Sequence, residues 1–335
     1  MATEPIAPET RYSLEDGLAR FDTLIDQLSS APEEDPVDAD IAISVEEEPP
    51  ITREPIPEQA PAAPEKSRAE QEPLTRSAAR TGGDVALQVT GLLKSFGDTV
   101  AVDEIDLSVR SGTIFGIVGP NGAGKTTTLS MITGLLRPDA GEIQLAGTDV
   151  WADSSKAKRK MGILPDRLIL FDRLTGRQLL HYAGLLHGLD AKTARARTAD
   201  LVATIGLDEA QHRLVTDYSA GMTKKVALAA AMIHAPRLLV LDEPFESVDT
   251  VSAERIIDIL NRYVAAGGTV ILSSHSMDLI ERICDAVAVI VDGRILATGA
   301  VADVRGDQSL EERFVDLVET SNAGEDMEWL RSFSD

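Results

Sequence analysis

One stretch constrains the fold more than any other. Residues Gly119-Pro120-Asn121-Gly122-Ala123-Gly124-Lys125-Thr126-Thr127 follow the pattern Gly-x-x-x-x-Gly-Lys-[Ser/Thr]. The flanks decide what can be built around it. Ile114-Phe115-Gly116-Ile117-Val118 is short, apolar and largely β-branched, which reads as a buried parallel strand. Thr128–Ile132 reads as the start of a helix. A strand that delivers a glycine-rich turn to a helix N-terminus commits the chain to an α/β core. It also commits it to phosphate chemistry. Glycines let the backbone wrap tightly enough for several N–H groups to point inward at a triphosphate. The helix N-terminus adds partial positive charge. Lys125 is placed to reach the β- and γ-phosphates, Thr126 to ligate Mg²⁺ and Thr127 to bond the α-phosphate.

Charge excludes some partners. The chain has 32 Lys+Arg against 55 Asp+Glu over 335 residues, a net charge of −23. Nucleic-acid binding needs clustered cations to neutralise phosphates, so it is not expected. The one basic run, Lys156-Ala157-Lys158-Arg159-Lys160, reads as a solvated loop-to-helix segment. A single cysteine, Cys284, rules out an internal disulfide, and its apolar helical surroundings mark it as a small core residue. The N-terminus lacks the pattern of a secretory leader, and no run of about 18 apolar residues is available to span a bilayer. The expected compartment is the cytoplasm.

The acidity is uneven. Residues 1–84 hold 20 acidic residues against 7 basic, and 11 of the 16 prolines. Segments such as Glu46-Glu47-Glu48-Pro49-Pro50 cannot bury enough apolar surface, so a disordered acidic tail is expected. Within it, Leu14, Leu18, Phe21, Leu24, Ile25 and Leu28 have helical spacing behind a cap-like Ser13, over residues 13–29. Two readings stay open: a transient helix in a solvated tail, or a docking helix that folds on a partner or on the body.

Beyond the tail, Val85–Val89, Ala101–Val109 and Gly141–Leu145 read as strands, the second alternating like an antiparallel strand closed at Ser111-Gly112. Leu238-Leu239-Val240-Leu241 is an apolar strand that ends in Asp242-Glu243. Such a strand delivers an acid beside a phosphate loop at the carboxyl edge of a parallel sheet. Tyr218-Ser219-Ala220-Gly221-Met222 leads into a helix over Thr223–Ile233. Ser247-Val248-Asp249 and a strand Thr269–Ser273 ending in Ser274-His275 complete the series.

In order and spacing these motifs resemble the nucleotide-binding domain of an ABC transporter, in particular the single-domain ATPase subunits of drug- and polyketide-type exporters. The resemblance covers roughly residues 85–318. It implies a P-loop NTPase core with a parallel sheet, an antiparallel β subdomain and an α-helical signature-motif subdomain at about 167–235. The ATPase domain would span 85–306, with a C-terminal helix and tail over 307–335. By the same resemblance, Phe96 stacks on adenine, Asp242 holds Mg²⁺, Glu243 is the general base that polarises the attacking water, and His275 bonds the γ-phosphate. Asp249 corresponds to the acid of the loop at the dimer interface. Ser219 and Gly221 correspond to the signature residues that meet a γ-phosphate.

The chain departs from the family pattern in places. The signature is usually Leu-Ser-Gly-Gly-Gln, so Ala220 costs backbone freedom and Met222 removes an amide. Asp166 stands where glutamine is usual. It reads either as part of a Mg²⁺ and water shell that senses the nucleotide, or as a shorter replacement with little metal contact. Phe245-Glu246 adds a charge whose purpose the sequence does not explain.

The resemblance further implies a head-to-tail dimer of two copies enclosing two ATP molecules, and a separate integral membrane permease that carries the spans this chain lacks. Phe171 and Leu174, ahead of an amphipathic helix over Gly176–Leu189, are candidates to receive that permease. The expected function is an ATP-hydrolysing subunit of a membrane exporter, held on the inner face of the membrane. The alternative is a soluble ABC ATPase in a non-transport role such as cofactor assembly.

Overall fold

The computed structural model describes residues 84–322, apart from 169 and 172. Except for Asp84, the expected tail with its helix at 13–29 lies outside the described residues, as does the part of the C-terminal tail beyond residue 322.

Among the described residues, ten strands form two sheets. β1 (Val85–Phe96) pairs antiparallel with β2 (Thr99–Arg110) and with β4 (Ala140–Leu145), and β5 (Thr148–Asp149) extends β4. The second sheet has six strands in the order β10-β9-β3-β8-β7-β6. Its strands are β3 (Ile114–Val118), β6 (Met161–Leu164), β7 (Leu238–Leu241), β8 (Thr269–Ser274), β9 (Ala286–Val291) and β10 (Arg294–Ala300). All pairings in this sheet are parallel except the β9–β10 hairpin.

Why the central strands are apolar throughout follows from where their two faces go. Ile114 and Val118 of β3, Leu239 and Leu241 of β7, and Val270 and Leu272 of β8 pack into one core with the helices. Their neighbours Phe115, Ile117, Leu238, Val240 and Ile271 enter a second core with Leu87, Val89 and Leu107 of the antiparallel sheet. A strand covered on both faces has no solvent side, so alternation disappears from its sequence. β2 keeps alternation because it is an edge strand with one covered face.

The helices are α1 (Lys125–Ile132), α2 (Ser154–Lys158), α3 (Gly176–Leu186), α4 (Ala191–Ile205), α5 (Ala220–Met232), α6 (Thr250–Ala265), α7 (Met277–Ile283), α8 (Val301–Arg305) and α9 (Leu310–Asn322). Between β6 and β7 the chain is helical, as expected. Thr175 and Gln178 form a capping box at α3, Asp190 caps α4, and Gly206 closes α4 in the left-handed conformation. α3 stops at Leu186, short of the expected Leu189, because His187 and Gly188 turn the chain. α9 begins with Ser309 and Glu312 bonding each other's backbone N–H groups, a second capping box. Cys284 follows the last residue of α7 and is buried in the helical core, in keeping with its sequence reading.

Two helix starts differ from the sequence expectation. α1 begins at Lys125 and not at Thr128, and α5 begins at Ala220 and not at Thr223. Both motifs therefore occupy first helical turns, where backbone N–H groups have no partner inside the helix. Among the described residues, no helix is long and apolar enough to cross a membrane.

Candidate nucleotide site

The register of the parallel sheet assembles the site. Ile117 is level with Ser273, Leu164 with Leu241, and Leu241 with Leu272. The carboxyl ends of β3, β6, β7 and β8 are thus nearly flush. The segments that leave them carry the glycine-rich loop, Asp166, Asp242-Glu243 and His275. This is the edge at which open α/β sheets bind ligands.

The loop after β3 is tightly braced. Gly124 sits at φ 98°, and a Cβ there would lie 2.4 Å from the Ala101 carbonyl oxygen. A Cβ on Gly119 would lie 2.0 Å from the Ile290 carbonyl oxygen. No other residue fits either position. The Ala123 N–H donates to the Pro120 carbonyl at 3.2 Å, and the Gly293 N–H donates to the Ala123 carbonyl at 3.0 Å. The Asp103 N–H in turn donates to the Gly293 carbonyl at 2.9 Å. The loop is wedged between the tip of the β9–β10 hairpin and β2.

α1 leaves this loop with no side-chain cap and no acidic residue in its first turn. Its first amides, those of Lys125, Thr126 and Thr127, are left to an anion from elsewhere. The Lys125 side chain is buried, and its Nζ donates to the Gly119 and Pro120 carbonyls at 2.8 and 3.1 Å. The same nitrogen lies 3.8 Å from Glu243 Oε1.

Asp242 is buried at 5 % exposure. Its Oδ1 accepts a hydrogen bond from the Ser273 hydroxyl, and its N–H donates to the Leu164 carbonyl at 2.8 Å. Ser273 Oγ also accepts from the Glu243 N–H at 2.9 Å. Glu243 adopts φ 45°, a left-handed conformation unusual for a residue with a Cβ. Its carboxylate Oε2 lies 3.1 Å from His275 Nδ1. The structure therefore brings Lys125, Glu243 and His275 into one constellation and sets Asp242 beside it.

Thr126, Asp166 and Asp242 line one cleft of about 260 Å³, together with Leu135, Ile163 and Pro165. A hydroxyl and two carboxylates are hard oxygen donors of the kind Mg²⁺ prefers, and the uncapped amides suit the phosphates that accompany it. The donor set fits a Mg²⁺–nucleotide.

The signature and adenine candidates stand apart from this constellation. Ser219 caps α5, its Oγ accepting from the Met222 N–H at 3.4 Å, and it is exposed. Gly221 faces Asp249 Oδ2 and Ser252 Oγ, which a Cβ would meet at 3.2 and 3.4 Å. Asp249 caps α6, accepting from the Ser252 N–H at 3.0 Å, and this bond holds its carboxyl below the usual carboxylate range. Phe96, at the end of β1, leaves about half its surface (51 %) exposed. Lys94 Nζ lies 5.6 Å from the Phe96 ring centroid and pairs with Asp139 at 2.7 Å.

Two residues at the site were not singled out from sequence. Ser273 could have been: it is a hydroxyl at the end of an otherwise apolar strand, 0 % exposed. Lys224 could not, because a lysine in a helix reads as solvated. It is buried at 7 % exposure, and its Nζ donates to the Glu243 carbonyl.

Comparison with known proteins agrees with this geometry. The family model described as "ABC transporter" matches residues 102–246. The chain is 36 % identical over 218 residues to the linearmycin resistance ATP-binding protein LnrL of Bacillus subtilis, covering 65 % of this chain and 70 % of that protein. It is 38 % identical over 220 residues to the daunorubicin/doxorubicin resistance ATP-binding protein DrrA of Streptomyces peucetius, covering 66 % and 67 %. It is 37 % identical over 218 residues to the Nod factor export ATP-binding protein I of Ralstonia nicotianae, covering 65 % and 68 %. Among solved structures, an ATP-binding subunit of an ABC transporter superposes with a TM-score of 0.66 at 28 % identity, over 70 % of this chain and 99 % of that one.

Proposed function

The chain belongs to the ABC transporter ATP-binding family, and from that membership we propose that it is the ATP-hydrolysing subunit of an exporter, working as a pair of copies on a separate membrane permease. ATP binding and hydrolysis in the service of transport go with the family. Export is in the name of one relative, the Nod factor export ATP-binding protein I, and the other two are named for resistance to linearmycin and to daunorubicin/doxorubicin, which removal of the compound from the cell would give.

The observation that carries the assignment of roles is the meeting of Glu243 with His275 at 3.1 Å and with Lys125 at 3.8 Å. Glu243 is the general base: its carboxylate takes a proton from the water that attacks the γ-phosphate. His275 orients that carboxylate and is placed to bond the γ-phosphate. Lys125 and the first amides of α1 hold the β- and γ-phosphates. Bound Mg²⁺ neutralises charge across those phosphates. Thr126, Asp242 and Asp166 are the residues that would hold it, directly or through water. Phe96 offers its open face to the base.

Ser219 and Gly221 sit at another helix N-terminus, and Ser219 is exposed. The Met222 N–H is capped by Ser219 Oγ, and the Ser219 hydroxyl with the Ala220 and Gly221 amides is left to donate to a group from outside the chain. A second copy, placed head to tail, would supply the triphosphate. Each ATP would then be gripped by the loop of one copy and the signature turn of the other. Removing the γ-phosphate would remove the link. The permease would hold the pair at the inner face of the membrane.

The test is Glu243→Gln. The variant should bind ATP, accumulate as a dimer on a sizing column with Mg²⁺ and ATP, and lose turnover. Turnover near the native rate would refute the base assignment.

A further inference from the structure

Glu243 is held at both ends of its backbone. Its N–H donates to Ser273 Oγ at 2.9 Å, and its carbonyl accepts from Lys224 Nζ at 2.5 Å. Between these two anchors the residue adopts φ 45°. L-residues disfavour this conformation, because the Cβ approaches the following carbonyl. A residue persists there only when its surroundings over-determine it. Without such anchors the peptide would relax toward the broad allowed regions and swing the carboxylate away from Lys125 and His275.

Lys224 is an unusual anchor. It lies on α5, one turn past the Ser219 cap, and not on any strand of the sheet edge. The residue as a whole is almost fully buried. Burial pulls its pKa down, and four carboxylates oppose that shift, those of Asp166, Glu246, Glu243 and Asp242. A buried ammonium is tolerated when charges and hydrogen bonds of this kind compensate it. Glu246, for which the sequence offered no role, is one of the four.

We infer that Lys224 is a positioning residue for hydrolysis: its hydrogen bond to the Glu243 carbonyl holds that residue in the left-handed conformation that aims its carboxylate at the attacking water. The inference rests on the assignment of Glu243 as the base. It also couples the two halves of the machinery within one chain. The helix whose N-terminus is offered to the other copy's ATP is the helix that fixes this chain's own base. A displacement of α5 would therefore be felt at Glu243 directly.

The experiment measures ATP hydrolysis by the full chain carrying K224M, K224R or K224Q, with thermal unfolding of each as the check on folding. K224M keeps an unbranched apolar stem, one atom shorter than lysine, and loses the donor. It should lower kcat at least tenfold and leave KM for ATP within threefold. K224R, which keeps a charged donor, should recover a substantial part of the loss. A purely structural role would lower the melting temperature of both variants without that recovery. K224Q is milder: as short as methionine, it keeps a neutral donor that stops one atom short of the place of the lysine nitrogen. It should lose at least fivefold, and it decides the question should K224M fail to fold. Native kcat in K224M or K224Q overturns the inference, and so does a K224R that is no better than K224M. Glu243→Gln is assayed in parallel. If it keeps turnover, the base assignment fails whatever Lys224 does. If it is inactive while K224M turns over normally, only the positioning role fails.

Discussion

Replacing Ser273 by alanine tests the polar centre of the sheet edge. The hydroxyl is fully buried and uses both of its capacities, donating to Asp242 Oδ1 and accepting from the Glu243 N–H. Ser273→Ala leaves the Glu243 N–H orphaned, a loss of about 1–3 kcal/mol. It also strips a charge-assisted bond from a carboxylate at 5 % exposure, again about 1.5–3 kcal/mol. Both losses come from one oxygen and overlap, so the sum is about 2–4 kcal/mol. For a folded part of about 240 residues each kcal/mol moves the melting temperature by about 2–4 °C, so a fall of roughly 5–15 °C is expected. Calorimetry at a fixed scan rate measures it. Ser274→Ala is the control. That residue is also buried, but its Oγ accepts only a peripheral N–H, from Ser276 at 3.0 Å, and the cost should stay below about 1 kcal/mol. A Ser273→Ala midpoint within 2 °C of native, or equal losses in the two variants, would refute the reasoning.

Two further outcomes follow from the same geometry. Gly124→Ala and Gly122→Ala both force a Cβ onto a positive φ, but only Gly124 meets a backbone oxygen, at 2.4 Å, while Gly122 faces open space. Gly124→Ala should therefore cost clearly more stability in denaturant titrations, and it should weaken binding of a fluorescent ATP analogue at least tenfold. His234 is half-buried, stacked on His187 at 3.7 Å, and donates to the Met161 carbonyl at 2.9 Å. Burial, with the neighbouring His187 next, pulls its pKa down to about 4. The unfolded chain binds the proton first, so the stability is present above about pH 6.5 and is lost as pH falls toward 4. Discounted for its partial exposure the loss is about 1–2 kcal/mol. His234→Phe should flatten the stability change between pH 7 and pH 5, read from the denaturant midpoint.

Local pattern made some parts legible and tertiary pattern hid others. The glycine loop and the acid-ended strand β7 could be read because each is a short run with its own periodicity and punctuation. The starts of α1 and α5 were placed three residues late. Their first turns consist of motif residues whose amides face outward for a ligand, so they carry no apolar face to betray a helix. The roles of Glu243 and His275 at the γ-phosphate came through resemblance. The clamp of Ser273 and Lys224 on Glu243 did not, because it joins three segments that meet only when β7, β8 and α5 pack. The positive φ at Glu243 was likewise invisible, since nothing in a glutamate announces a left-handed backbone. Asp166 shows the limit from the other side. The sequence offered two readings, and its place in one cleft with Thr126 and Asp242 supports the first.

The bracing of the phosphate loop by Gly293 has a consequence for synthesis. The loop is complete in sequence at residue 127, but the backbone that steadies it emerges from the ribosome about 170 residues later. At typical elongation rates that is a delay of about 10–30 s. During that interval the nascent chain carries every residue of the motif without the tip that supports it. A chain released before residue 293 lacks one wall of that support and should hold ATP more weakly than the finished one.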